Sequence, residues 1–113
     1  MHLLIVDDDR ATLDGLMELL EDAGFECEGA VSFEAARAAM RISPPDVLVA
    51  DIRLDEYNGL QLVLSRPPWT EAIVMSAFAD PVLESEAVRM GASYIRKPVQ
   101  TRELFDLLNR RKV

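Results

Sequence analysis

Two kinds of hydrophobic spacing alternate along the chain. Short unbroken apolar runs, Leu3 to Val6, Val47 to Ala50 and Ala72 to Met75, mark strands buried on both faces. Between them, apolar residues recur at helical intervals, so the pattern predicts βαβ units and a parallel sheet covered by helices. Two further strands are half polar: Phe25-Glu26-Cys27-Glu28-Gly29, which alternates, and Ser93-Tyr94-Ile95-Arg96. Half-polar strands belong at sheet edges. With the second and fifth strands outside and the first, third and fourth inside, the simplest order is 2-1-3-4-5, a doubly wound five-stranded parallel α/β sheet with helices on both faces.

Local chemistry sets the helix boundaries. Asp9 is placed to cap a helix from Arg10 to Ala23, with Leu13, Leu16, Met17 and Leu20 on its inner stripe and Gly24 at its end. Ser32 caps a second helix holding Phe33, Ala36 and Met40, which Ser43-Pro44-Pro45 stops. A short third helix must fit between Asn58-Gly59 and Arg66-Pro67-Pro68, which leaves about two turns. Asp80-Pro81 starts the fourth, which ends at Gly91, and Thr101 caps the fifth, with Leu104, Phe105 and Leu108 facing inward. Met17, Met40, Met75 and Met90 read as core, whereas Trp69 fits either a packing anchor or an exposed contact.

A chain of 113 residues suits one domain spanning 1–113. Its longest apolar runs are far short of the roughly 20 residues that a membrane span needs, and no signal peptide is visible behind Met1, so the expectation is a cytoplasmic protein that engages no membrane. The lone Cys27 excludes an intrachain disulfide, and with only one histidine a zinc site is excluded too. The net charge of -8 disfavours direct nucleic acid binding. That charge is uneven: Met1 to Glu56 holds 14 acids and 4 bases, and Tyr57 to Val113 holds 6 acids and 8 bases.

In an open α/β sheet, ligands bind beyond the carboxyl ends of the strands where strand order reverses, here between strands one and three. Strand one ends in Asp7-Asp8-Asp9, strand three in Asp51, strand four in Ser76 and strand five in Lys97-Pro98. Three carboxylates within about 5 Å repel by roughly 3 kcal/mol per pair at an effective dielectric near 20, so a cation is called for. Lys97 supplies one charge, and a divalent ion with all-oxygen ligands, best Mg²⁺, suits Asp7, Asp8 and Asp51. An aspartate so placed is a competent nucleophile toward phosphorus, with Lys97 and the Ser76 hydroxyl available to phosphoryl oxygens.

Through Leu-Ile-Val-Asp7-Asp8, Val-Leu-Val-Ala-Asp51, Asn58-Gly59, Ile-Val-Met-Ser76-Ala77, Gly91-Ala92 and Tyr94-Ile-Arg-Lys97-Pro98, the chain resembles the receiver domain of two-component response regulators, a flavodoxin-like fold. The resemblance implies that Asp51 accepts phosphate from a sensor histidine kinase, a histidine phosphotransfer protein or a small acyl phosphate. It implies that Asp8 and Asp51 hold Mg²⁺ directly, Asp7 holds it through water, and the Arg53 backbone carbonyl adds a ligand. Ser76, Ala77 and Lys97 would surround the phosphoryl group, Ser76 and Tyr94 would form a conformational switch, and Lys97-Pro98 would be a cis peptide. The readout face would be the fourth helix, fifth strand and fifth helix, where a homodimer, a downstream protein or an attached output domain could bind. Asp55 stands where the family commonly has proline, and the segment from Gly59 to Ser76 is shorter than usual by more than one helical turn.

Other functions fit less well. A haloacid-dehalogenase-type phosphatase also uses a nucleophilic aspartate with Mg²⁺, but Asp7-x-Asp9-x-Ala11 lacks the last residue of its first motif. A phosphate-independent binding module would have no use for the full set of Asp7, Asp8, Asp51, Ser76 and Lys97. Flavin mononucleotide would have to place its phosphate against three aspartates. The reading is therefore a regulatory phosphoacceptor and not a dedicated enzyme.

Overall fold

A computed structural model describes residues 1–54, 57–77 and 81–111. Its elements run β1 (His2–Val6), α1 (Arg10–Asp22), β2 (Glu26–Ala30), α2 (Phe33–Ile42), β3 (Val47–Asp51), β4 (Arg53–Leu54), β5 (Tyr57–Asn58), α3 (Gly59–Ser65), β6 (Glu71–Ser76), α4 (Pro81–Arg89), β7 (Ser93–Arg96) and α5 (Thr101–Arg111). The main sheet has the order β2-β1-β3-β6-β7, all parallel, while β4 and β5 form a separate antiparallel ribbon. Counted without that ribbon, the five parallel strands lie in the order 2-1-3-4-5. Asp55 and the proposed cap Asp80 lie outside the described residues.

Period-2 alternation divides the core between the two faces of the sheet. Leu3, Ile5, Val47, Val49, Ile73 and Met75 point toward α1 and α5 and meet Leu13, Leu16, Leu20, Leu104 and Leu108. Leu4, Val6, Leu48 and Ala50 point the other way, onto Phe33, Ala36 and Met40 of α2 and Leu62 of α3. A third cluster joins Leu60 and Val63 of α3 to Val74 and to Ala87 of α4. Both faces of β1 and β3 are thereby covered, which is why those strands carry unbroken apolar runs.

The caps explain where the chain turns. Asp9 accepts from the backbone N–H of Ala11 at 3.0 Å and of Thr12 at 3.4 Å, and Ser32 Oγ accepts from Ala35 N–H at 3.1 Å. Gly24 (φ +97°) and Gly91 (φ +83°) take left-handed conformations after α1 and α4, where a side chain would be strained. Thr101 is not the cap of α5 but its first helical residue. Leu104 N–H bonds the carbonyl of Gln100 at 3.1 Å, which moves the helix start one residue earlier than the hydroxyl of Thr101 suggested. α3 has seven residues, the two turns that the flanking glycine and prolines allow.

Candidate functional site

Register brings the strand ends together. Val6 of β1 pairs beside Ala50 of β3, Asp51 pairs with Met75 of β6, and Ser76 pairs with Arg96 of β7. The next residue after each of β1 and β7, Asp7 and Lys97, therefore emerges at the same rim as Asp51. Asp7 is fully buried and Asp51 is 8% exposed. Lys97 reaches across from the far edge, and its Nζ donates to Asp7 Oδ2 and to Asp51 Oδ2, both at 2.9 Å.

The second oxygen of each buried carboxylate is held by the backbone. Asp9 N–H donates to Asp7 Oδ1 at 3.0 Å, and Arg53 N–H donates to Asp51 Oδ1 at 3.1 Å. Both acids are thus fixed in orientation. Burial pushes the Lys97 ammonium toward its neutral form, but its hydrogen bonds to Asp51 and Asp7, and their negative charges, outweigh that and hold its pKa above the ordinary lysine value.

Asp8, exposed at the mouth, completes an acidic triad with Asp7 and Asp51: one oxygen from each lies within 4.8 Å of the others. Three carboxylates and no nitrogen or sulfur ligand make a hard donor set suited to Mg²⁺ or Ca²⁺. An ammonium shared by two of the three acids leaves excess negative charge for a divalent ion to balance.

The sequence profile of the response regulator receiver domain matches residues 3–109. The chain belongs to this family. It is 34% identical over 110 residues to the photosynthetic apparatus regulatory protein RegA of Rhodobacter capsulatus, a match covering 94% of this chain and 60% of that protein. It is likewise 34% identical over 113 residues to the acid tolerance regulatory protein ActR of Rhizobium meliloti, covering 96% of this chain and 58% of that one. The receiver domain thus spans about 60% of the length of these curated relatives. A crystal structure of a CheY-like response regulator receiver domain protein from Methanospirillum hungatei superposes with a TM-score of 0.90 at 29% identity, covering 96% of this chain and 90% of that one.

Receiver domains are regulatory phosphoacceptors that generally bind Mg²⁺ at an acidic pocket, and the Asp7, Asp8 and Asp51 oxygens of this one fit that ion. Among the remaining sequence-derived residues, Ser76 ends β6 at the same rim, 2% exposed, and Ala77 follows it at the surface. Lys97 N–H donates to the Ser76 carbonyl at 2.8 Å, which ties the ends of β6 and β7 together, and the Lys97-Pro98 peptide is cis. Tyr94 is set further back on β7, half-buried against the core cluster that includes Val74, Ala87 and Ala92 on the α4 side. No helix among the described residues is long and apolar enough to cross a membrane.

Gly59 in this receiver domain had no role in the sequence reading beyond its motif. A Cβ there would lie against the Asp51 carbonyl oxygen, closer than atoms tolerate, so only glycine lets the start of α3 approach the strand that carries Asp51. Gly59 N–H also donates to the Ile52 carbonyl at 2.7 Å. The Asn58-Gly59 pair in the sequence marked this place as a turn but gave no sign of what it approaches.

Proposed function

We propose that the domain is a phosphorylation-controlled switch in which Asp51 receives a phosphoryl group from the phosphohistidine of a sensor histidine kinase or histidine phosphotransfer protein. The observation that supports this best is the Lys97 ammonium held 2.9 Å from both buried acids, with a third acid at the mouth. A merely structural site gains nothing by gathering like charge, whereas a site that handles a phosphoryl group and a divalent ion needs it.

In the transfer, an Asp51 oxygen attacks phosphorus as the bond from phosphorus to the histidine nitrogen breaks, and the electron pair leaves with the imidazole. Arg53 N–H keeps the carboxylate from rotating, and Lys97 is in place to follow its Oδ2 partner to a phosphoryl oxygen. Asp7, Asp8, Asp51 and the Arg53 carbonyl would hold Mg²⁺, which supplies charge neutralisation of the transferring group. Ala77, small and exposed, would leave the approach open, and the Ser76 hydroxyl, at the end of β6 on the same rim, would donate to the new group.

A group of about -1.5 to -2 charge at Asp51 would bias two conformations through Ser76 and Tyr94. The change would be read at α4, β7 and α5, where Glu84, Glu86, Arg89, Arg102, Glu103, Asp106 and Arg110 offer both signs of charge. A homodimer, a downstream protein or an output domain of a longer regulator would bind there. Residues 1–113 act as one receiver unit in this reading.

The test is intact-protein mass after incubation with acetyl phosphate, with and without Mg²⁺, on wild type and Asp51→Asn. One Mg²⁺-dependent, hydroxylamine-labile phosphate, lost in the variant, is the expected result. A folded, Mg²⁺-binding protein that gains no phosphate even from histidine kinases would be a phosphate-independent binding module instead.

A further inference from the structure

At the opposite end of the sheet from the acidic rim, α2 and α3 finish side by side. The loops that follow them are joined: Thr70 Oγ1 donates to the Pro45 carbonyl at 2.7 Å, and Glu71 N–H donates to the Asp46 carbonyl at 3.0 Å. Between the two helix ends lies an open cavity of about 330 Å³, floored by Met40, Pro44 and Pro67 and edged by Arg37, Arg41 and Arg66. This is within the size range of a ligand or side-chain pocket.

The charge here runs against the rest of the molecule. The half of the chain from Met1 to Glu56 has only 4 bases against 14 acids, yet two of those bases, Arg37 and Arg41, stand one helical turn apart on this groove. Neither forms an ion pair among the described residues. Arg37 is steadied over the Phe33 ring, its guanidinium carbon 5.8 Å from the ring centroid, and remains exposed. Arg66 is already committed to three backbone carbonyls, so it adds fixed positive charge to the groove and not a mobile arm. One carboxylate, Glu34, shares a smaller neighbouring hollow with Arg37 and Arg41.

The same segments carry large apolar side chains in solvent. Ile42, next to Arg41, is 84% exposed, Leu64, next to Ser65, is 70% exposed, and Trp69, two residues after Pro67, is 60% exposed. Arginine and tryptophan beside aliphatic groups are the composition of protein-binding hot spots, and paired guanidinium groups recognise carboxylates through bidentate hydrogen bonds.

We propose that this groove docks an acidic peptide segment of a partner protein, with carboxylates on Arg37 and Arg41 and aliphatic or aromatic residues reaching the exposed Ile42, Leu64 and Trp69 of the flanking segments. It is separate from the phosphoacceptor site and does not depend on phosphorylation.

The whole chain, immobilised without phosphodonor, would be used to select binders from a random library of peptides about twelve residues long. Selected peptides should pair Asp or Glu with apolar residues, change the fluorescence of the single Trp69, and weaken as salt rises even though the protein is itself acidic. Arg37→Glu and Arg41→Glu should each weaken them by about tenfold or more. Both side chains are exposed, so the variants should fold, which circular dichroism would check. Selected peptides without acidic enrichment, or affinity unchanged in both folded variants, would overturn the proposal. So would competition by inorganic phosphate or citrate as strong as by the peptides, which would mark a small-anion site.

Discussion

The two ends of the sheet hold polar networks of similar size and opposite character. At the carboxyl end, Lys97 bridges Asp7 and Asp51, all three side chains largely buried. At the amino end, Arg66 donates to the carbonyls of Val63, Thr70 and Met90 at 2.7, 2.8 and 3.0 Å, and Thr70 donates to Pro45. The second network joins charge to backbone dipoles and closes loops, so each bond adds stability. The first sets like charges side by side and tolerates their repulsion. Bonds of nearly the same length thus serve stability at one end and, in the function proposed above, reactivity at the other.

Mutation should separate them. Lys97→Met leaves two buried carboxylates without their counter-charge and is expected to lower stability by about 3 kcal/mol, with Mg²⁺ restoring more in the variant than it adds to wild type. Asp51→Asn, in contrast, is expected to be neutral or to stabilise by about 1 kcal/mol, because Lys97 keeps Asp7 while a repulsion disappears. Urea melts with and without Mg²⁺ measure both, and a stable Lys97→Met protein would mean that the acidic rim is not under charge stress.

Arg66→Ala should cost about 2–3 kcal/mol, since three carbonyls lose a charged donor. Thr70→Val, which removes one buried hydroxyl bond at nearly constant shape, should cost about 1 kcal/mol. If Asp51→Asn proved more damaging to stability than Arg66→Ala, the division between the two ends would fail.

At Cys27, whose thiol donates to the Phe25 carbonyl at 3.9 Å, burial has no opposing positive charge to offset it. Burial, and then the negative charge of Glu21, raises its thiol from the ordinary 9.0 to about 11. The folded thiol keeps its proton between those values while the unfolded one loses it, so its contribution is intact below pH 9 and is lost as pH rises toward 11. The alkylation rate of native protein should rise with a midpoint near 11, and a midpoint near 9 would show β2 opening at the sheet edge.

Much of this was legible in the sequence where the cause is local. Apolar runs marked the inner strands, Asp9 and Ser32 marked caps because a side-chain oxygen meets a nearby N–H, and the acids after β1 and β3 announced the rim. What depends on distant partners was not legible. Arg66 read only as part of a proline stop, and its reach to Met90, 24 positions away, follows from how α3 and α4 pack. The β4–β5 ribbon was missed because two-residue strands carry no period. Thr101 misled because it is a preferred cap residue one position inside the helix, and the exposure of Trp69 was set by a loop with no pattern of its own.

The approach of Gly59 to the Asp51 carbonyl sets how freely this sequence can drift. Gly15, on α1, has open space around its missing side chain and could take alanine with a gain of about 1 kcal/mol. Position 59 has no such latitude, since even a methyl group must displace the backbone that carries Asp51, the proposed phosphoacceptor. In a library of functional variants, then, the alphabet at residue 59 should shrink to a single letter while that at residue 15 stays wide.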